Sequence, residues 1–139
     1  MIEYHNKTTE TIVFEKKYTD WVISLLTSED KTDGDICFIL CNDDYLLEIN
    51  REHLDHDYYT DIITFDYSVG DKLSGDILIS LDRVKENSRI YGVQFIEELR
   101  RVMAHGVLHL MGYQDGTSTS KREMRAKEEK ALKMFHVEQ

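Results

Sequence analysis

The chain contains no proline, only two cysteines, and no apolar run approaching the roughly 20 residues that a membrane-spanning helix needs. The missing proline carries no functional message. The shortage of cysteine excludes a disulfide framework. Placed on one strand, Cys37 and Cys41 would lie about 13 Å apart, too far to bridge. They read as buried thiols of a reducing cytoplasm, not as a disulfide or a metal pair. The opening residues, MIEYHNKTTE, have no basic segment followed by an apolar one, so no secretory signal is expected and the expected location is cytoplasmic. Basic residues are outnumbered: 17 Lys and Arg face 27 Asp and Glu, a net charge of −10. A nucleic-acid partner would then have to be held by a local basic patch working against overall repulsion.

What is there suits a soluble globular protein, 41% hydrophobic and 32% charged. A length of 139 residues fits one domain, 1–139, with one substantial core and no linker or repeat. Ile2–His5 and Thr11–Phe14 are short strand candidates. Tyr18–Thr27 reads as a helix, with Trp21, Val22, Leu25 and Leu26 on one face and Thr19 as its cap. Ser28–Asp35 is a polar loop, and Ile36–Cys41 a buried strand. Asn42, Asp43 and Asp44 make a good helix start before Tyr45, Leu46, Ile49 and Leu54, because a capping oxygen and an acidic first turn suit the helix dipole.

After a loop at Asp55–Tyr59, the β-branched and aromatic run Thr60–Tyr67 reads as a strand. Ser68–Ser74 is a turn, and Gly75–Ser80 the strand that closes an antiparallel hairpin. Ser80 caps a helix over Leu81–Tyr91 that Gly92 ends. Phe95–Met111 is an apolar helix. The final helix opens on the capping-box spacing of Ser120 and Glu123. Its apolar positions Met124, Leu132 and Phe135 are sparse, and its many Lys and Arg residues read as a solvated face. The expected fold class is α/β (α+β), a small four-stranded mixed sheet flanked by about five helices.

Chemistry concentrates in HGVLHLMGYQD, residues 105–115. His105 and His109 are one helical turn apart on one face, where one metal ion can take a nitrogen from each. Gly112 suits the left-handed cap that stops a helix and turns the chain back. Asp115 is the first metal-binding residue type to follow. His105, His109 and Asp115 are therefore read as a metal triad, although a histidine pair at this spacing is by itself more often an ordinary surface or capped-core pair. Gly106 stands where a zinc peptidase of the HExxH type carries its general base, which argues against peptidase chemistry.

These residues resemble the HGxLHLxGYDH signature of the YbeY family, bacterial rRNA maturation factors regarded as metal-dependent endoribonucleases. Glu48–Asn50 followed by Thr60–Phe65 resembles the family's LN…PTDVLSF region, Gly75–Ile77 its GDI strand, and Met124 with Glu128 its C-terminal helix. The resemblance implies a zincin-like metal helix with one Zn2+ per chain. Three histidines hold the ion in the family. Asp115 stands in place of the third, and Gln114 replaces the aspartate before it. A set of two histidines and one carboxylate makes a weaker Lewis acid and also suits iron, manganese or nickel. The family's arginine after the LN motif corresponds to Leu54 here, with Arg51 one turn earlier, and its proline corresponds to Tyr59.

By resemblance, the expected activity is single-strand-specific RNA cleavage in 16S rRNA 3′-end maturation and ribosome quality control. The expected partners are rRNA, the small ribosomal subunit and its associated proteins, with no membrane. His105, His109 and Asp115 would act through the metal. Asp76 is the candidate general base, with His53 and His56 behind it, while Thr60 and Asp61 are read as shaping the cleft. Arg51, Arg83, Lys85 and Arg89 are the candidate RNA contacts. Two alternatives stand beside this reading: an rRNA-binding assembly factor with a structural metal, and a metal hydrolase of another substrate.

Overall fold

Among residues 1–137, which the computed structural model describes, strands and helices follow one another as β1 (Ile2–Asn6), α1 (Lys16–Thr27), β2 (Thr32–Cys41), α2 (Asp43–Leu54), β3 (Ile62–Asp66), β4 (Lys72–Ser80), α3 (Leu81–Tyr91), α4 (Phe95–Leu110) and α5 (Ser118–Val137). Glu138 and Gln139, the end of the expected span, lie outside the described residues. The strands form one mixed sheet in the order β1-β2-β4-β3. β1, β2 and β4 run parallel, and β3 is antiparallel to β4. Four strands with five helices is the expected architecture.

Strand alternation sorts the side chains into two unequal layers. Ile36, Phe38, Leu40, Ile77 and Ile79 point to one face and are almost wholly buried with residues of α1, α3, α4 and α5. Trp21 sits at the centre of this layer, and its indole N–H donates to the Ala131 carbonyl at 2.8 Å. The other face carries a small cluster in which Leu46 of α2 packs on Cys41, Ile63 and Leu78. Glu3, His5, Cys37 and Asp76 occupy the same parity on this second face.

Two helix caps fall where the sequence places them. Asn42 Oδ1 accepts from the Tyr45 N–H at 2.9 Å, and Ser80 Oγ accepts from the Arg83 N–H at 3.3 Å. Gly92 ends α3 at φ +67°.

Several local expectations are corrected. Thr11–Phe14 is not a strand; Ile12 and Phe14 instead act as anchors on the core, the Phe14 ring stacking on Tyr4 at 4.4 Å. β2 begins at Thr32 inside the supposed loop, and β4 at Lys72 inside the supposed turn. These two polar ends pair with each other, Thr32 with Lys72, at the exposed end of the sheet. α1 starts before Thr19, whose hydroxyl meets Tyr4 Oη at 2.9 Å rather than capping. The box that opens α5 lies three residues early: Thr117 Oγ1 accepts from the Ser120 N–H, and Ser120 Oγ from the Thr117 N–H. Within that helix Ala131, not Leu132, is the fully buried position.

Candidate metal centre

Helix α4 buries Leu99, Val102, Met103, Val107 and Leu110 and leaves His105 and His109 half-exposed along its edge. Gly106 explains how close the helix lies to the sheet. A Cβ there would stand 2.6 Å from Ile77 Cγ2 and 3.1 Å from Ile62 Cδ1. The position that carries glutamate in an HExxH peptidase is here pressed against the floor, with no room for a side chain.

The helix stops in a Schellman arrangement. The Gly112 N–H donates to the His109 carbonyl at 2.9 Å and the Tyr113 N–H to the Leu108 carbonyl at 3.1 Å, with Gly112 at φ +105°. That turn sends the chain back beside the helix, where the Tyr113 hydroxyl donates to Glu29. Asp115 is thereby delivered to the histidines.

Three atoms converge. His105 Nε2 and His109 Nε2 are 3.0 Å apart, and Asp115 Oδ2 is 3.3 Å from the first and 3.7 Å from the second. A tetrahedral zinc ion bound through such ligands separates them by about 3.3 Å. The donor set therefore fits a single small cation. Burial, followed by the neighbouring His105, holds the His109 pKa below its ordinary value, against the pull of Asp115, which favours the neutral imidazole that a metal binds.

Behind these atoms lies a buried charged network that the sequence reading did not assign to the site. Glu128 of α5 places Oε2 2.6 Å from His105 Nδ1 and Oε1 2.9 Å from Arg101 Nη1. Arg101 also donates to both oxygens of Glu98, at 2.8 and 2.6 Å. Glu98 and Glu128 are 2% and 4% exposed, so neither carboxylate has water to solvate it and each depends on these partners. Burial pushes the Glu128 carboxyl up, but the His105 hydrogen bond and the Arg101 charge together bring it below its usual value. The hydrogen bonds to Glu98, against the cost of burial, raise Arg101 further. A carboxylate on Nδ1 leaves the Nε2 lone pair free to face the other two ligand atoms.

The triad opens onto a groove of about 620 Å³. Leu54, His56 and Tyr58 line it, as do Asp61 and Arg101. Burial pushes the Asp61 carboxyl above the ordinary range, against the opposing charges of Arg101 and His105.

Other expected site residues lie elsewhere. Asp76 pairs with Cys37 and Phe65 on the sheet face away from α4, because it is Ile77 whose parity meets Gly106. It is therefore not brought to the triad. Arg51 is tied to Asp57, Arg83 lies bidentate on Asp43 at 3.0 Å, Lys85 is paired with Glu10, and Arg89 is 3.5 Å from Glu86. None of these four lines the groove. His56 does, whereas His53 instead meets the Phe65 ring edge-on. A second trio of ligand types, Glu3, His5 and Cys37, gathers on the far sheet face, away from the groove.

Comparison with known proteins agrees with this geometry. The family model described as Endoribonuclease YbeY matches residues 2–136. The chain is 47% identical over 139 residues to the Endoribonuclease YbeY of Flavobacterium johnsoniae, covering 100% of both chains. It is 50% identical to that of Flavobacterium psychrophilum, covering 100% of this chain and 99% of the relative. The solution structure of TM1509 from Thermotoga maritima superposes with a TM-score of 0.72 at 27% identity, over 99% of this chain and 91% of that one. The metal helix, the mixed sheet and these relatives point the same way: the chain belongs to the YbeY family of endoribonucleases.

Proposed function

We propose that this chain cuts single-stranded RNA by metal-assisted hydrolysis of a phosphodiester bond, with one zinc ion held by His105, His109 and Asp115. The proposed substrate is the 3′ end of 16S rRNA on the small ribosomal subunit in the cytoplasm, with a part in ribosome quality control. One observation carries the reading: the three ligand atoms lie within 4.8 Å of one another at the side of an open groove, in a chain of this family.

When bound, the ion supplies Lewis acidity toward a phosphoryl oxygen and a nearby water. The chain's own residues set the stage for it. Glu128 fixes the His105 tautomer, and Arg101 fixes Glu128. Asp61 lines the same groove, and burial raises its carboxyl above the ordinary range against the charges of Arg101 and His105. Held by His105, His109 and Asp115 alone, an ion would keep a coordination position for water or substrate, as catalytic zinc sites do, whereas structural sites close it with a fourth protein ligand. An open position of this kind supports the nuclease reading over an assembly factor with a structural metal. Gly106, pressed on Ile77, speaks against a peptidase.

The test offers the zinc-loaded protein single-stranded RNA, duplex RNA and an unstructured peptide, with His105→Ala as control. Cleavage of the single strand alone, lost in the variant, is expected. Turnover of the peptide, or RNA cutting that survives His105→Ala, refutes the proposal.

A further inference from the structure

The groove has two walls of different chemistry. One carries His105, His109 and Asp115; the other, formed by the end of α2 and the segment after it, carries Leu54, His56 and Tyr58. The rings of His56 and Tyr58 stack, with centroids 5.2 Å apart and planes at 20°, and His56 Nδ1 lies 3.0 Å from Tyr58 Oη. Tyr58 is 55% exposed, and His56 is exposed beside it. Tyr59, next in the chain, faces away from the groove lining, with the Arg83 guanidinium over its ring at 5.2 Å.

This aromatic wall is held in place by a buried residue. Asn50 is 2% exposed; its carbonyl accepts from the His56 N–H at 3.0 Å, and its Nδ2 donates to the Tyr58 carbonyl at 2.9 Å. One buried residue, through its main-chain carbonyl and its side-chain amide, thus ties down the backbone of both ring-bearing residues, so little ordering is left for a ligand to impose.

Charge makes the wall necessary. Arg101 is the one Lys or Arg among the described residues that line the groove, and it is already engaged by Glu98 and Glu128. Asp61, Asp66 and Asp115 line the same groove. Attraction between this surface and a polyanion is therefore weak. Stacking of a base on an aromatic ring is uncharged and contributes about 1–3 kcal/mol per base.

We propose that His56 and Tyr58 form a stacking subsite that holds an unpaired base of the RNA strand while the backbone phosphate lies at the triad. The inference rests on the endoribonuclease reading and gives its single-strand preference a cause. A base inside a duplex has both faces covered and cannot reach the rings; an unpaired one can.

The test measures binding of a short fluorescent single-stranded oligoribonucleotide, and of versions with one abasic position moved along it, to the zinc-loaded protein. Tyr58→Ala weakens binding of the intact strand about tenfold. Tyr58→Phe recovers most of that loss, and zinc content stays the same in both. One abasic position reproduces the loss in the unsubstituted protein and costs Tyr58→Ala nothing more. Undiminished affinity in Tyr58→Ala, or equal abasic losses in both proteins, overturns the subsite. RNA bound in the expected pattern but never cut refutes the nuclease and leaves the subsite standing; normal binding and cutting by Tyr58→Ala refutes the subsite alone.

Discussion

Glu128 of α5 meets His105 of α4 at 2.6 Å, carboxylate oxygen to imidazole Nδ1, although the two are 23 residues apart in sequence. Removing the charge while keeping the shape, as Glu128→Gln does, frees the ring to reorient and lowers its basicity. Metal affinity is expected to fall about tenfold or more. Zinc competition against a chromogenic chelator reads the change directly, and an unchanged dissociation constant contradicts the role given to this carboxylate.

Leu54 lines the groove where the resemblance places an arginine in other members. Leu54→Arg puts a cation beside the bound strand. RNA binding should tighten at low salt, and the slope of log K against log[salt] should steepen by about one unit. A slope equal to that of the unsubstituted protein would place this side chain out of reach of the phosphates.

Gly106→Ala tests the packing beneath the metal helix. The new methyl group meets Ile77 at a distance no real Cβ contact shows, so α4 or the strand beneath it must move. A loss of about 1–3 kcal/mol in urea unfolding is expected. Combining it with Ile77→Ala should cost less than the two separate losses added together. Simple additivity would mean that the two residues do not press on each other.

Cys41 has a sign that can be worked out. Burial, then the nearby Asp43 and Asp82, push its thiol from 9.0 up to about 12. The folded state therefore prefers the neutral thiol. Its contribution to stability is fully present below pH 9 and is lost as pH rises from about 9 to about 12. Native protein at pH 8.5 should leave Cys41 unmodified by iodoacetamide until it is unfolded, and Cys41→Ala should flatten the alkaline fall in stability. Alkylation of Cys41 at the denatured rate in folded protein would contradict this.

The convergence of His105, His109 and Asp115 was legible because all three fall within residues 105–115, where one helical turn and one glycine cap decide the geometry. The caps at Asn42 and Ser80 were legible for the same local reason. The surroundings of the triad were not. Glu128 reaches His105 and Arg101 only through the packing of α5 on α4, 23 and 27 residues away in sequence, which no short-range pattern encodes; Thr60 and Asp61 do line the groove, as their reading as cleft residues expects. Asp76 was misplaced because the parity of β4 relative to α4 is set by Gly106 meeting Ile77, a contact invisible along either segment alone. Arg83 and Lys85 looked available as RNA contacts because the carboxylates that engage them, Asp43 and Glu10, are 40 and 75 residues distant, whereas Arg51 and Arg89 are engaged by neighbours in sequence, Asp57 and Glu86.

The most direct measurement adds zinc stepwise to metal-free protein while following cleavage of a single-stranded RNA. Cleavage should rise in proportion to bound zinc and stop rising at about one equivalent. His109→Ala and Asp115→Ala should bind little metal and cut little RNA while keeping the native circular dichroism spectrum. Undiminished cutting by metal-free protein, or by His109→Ala, would contradict the assignment of these residues to a catalytic ion.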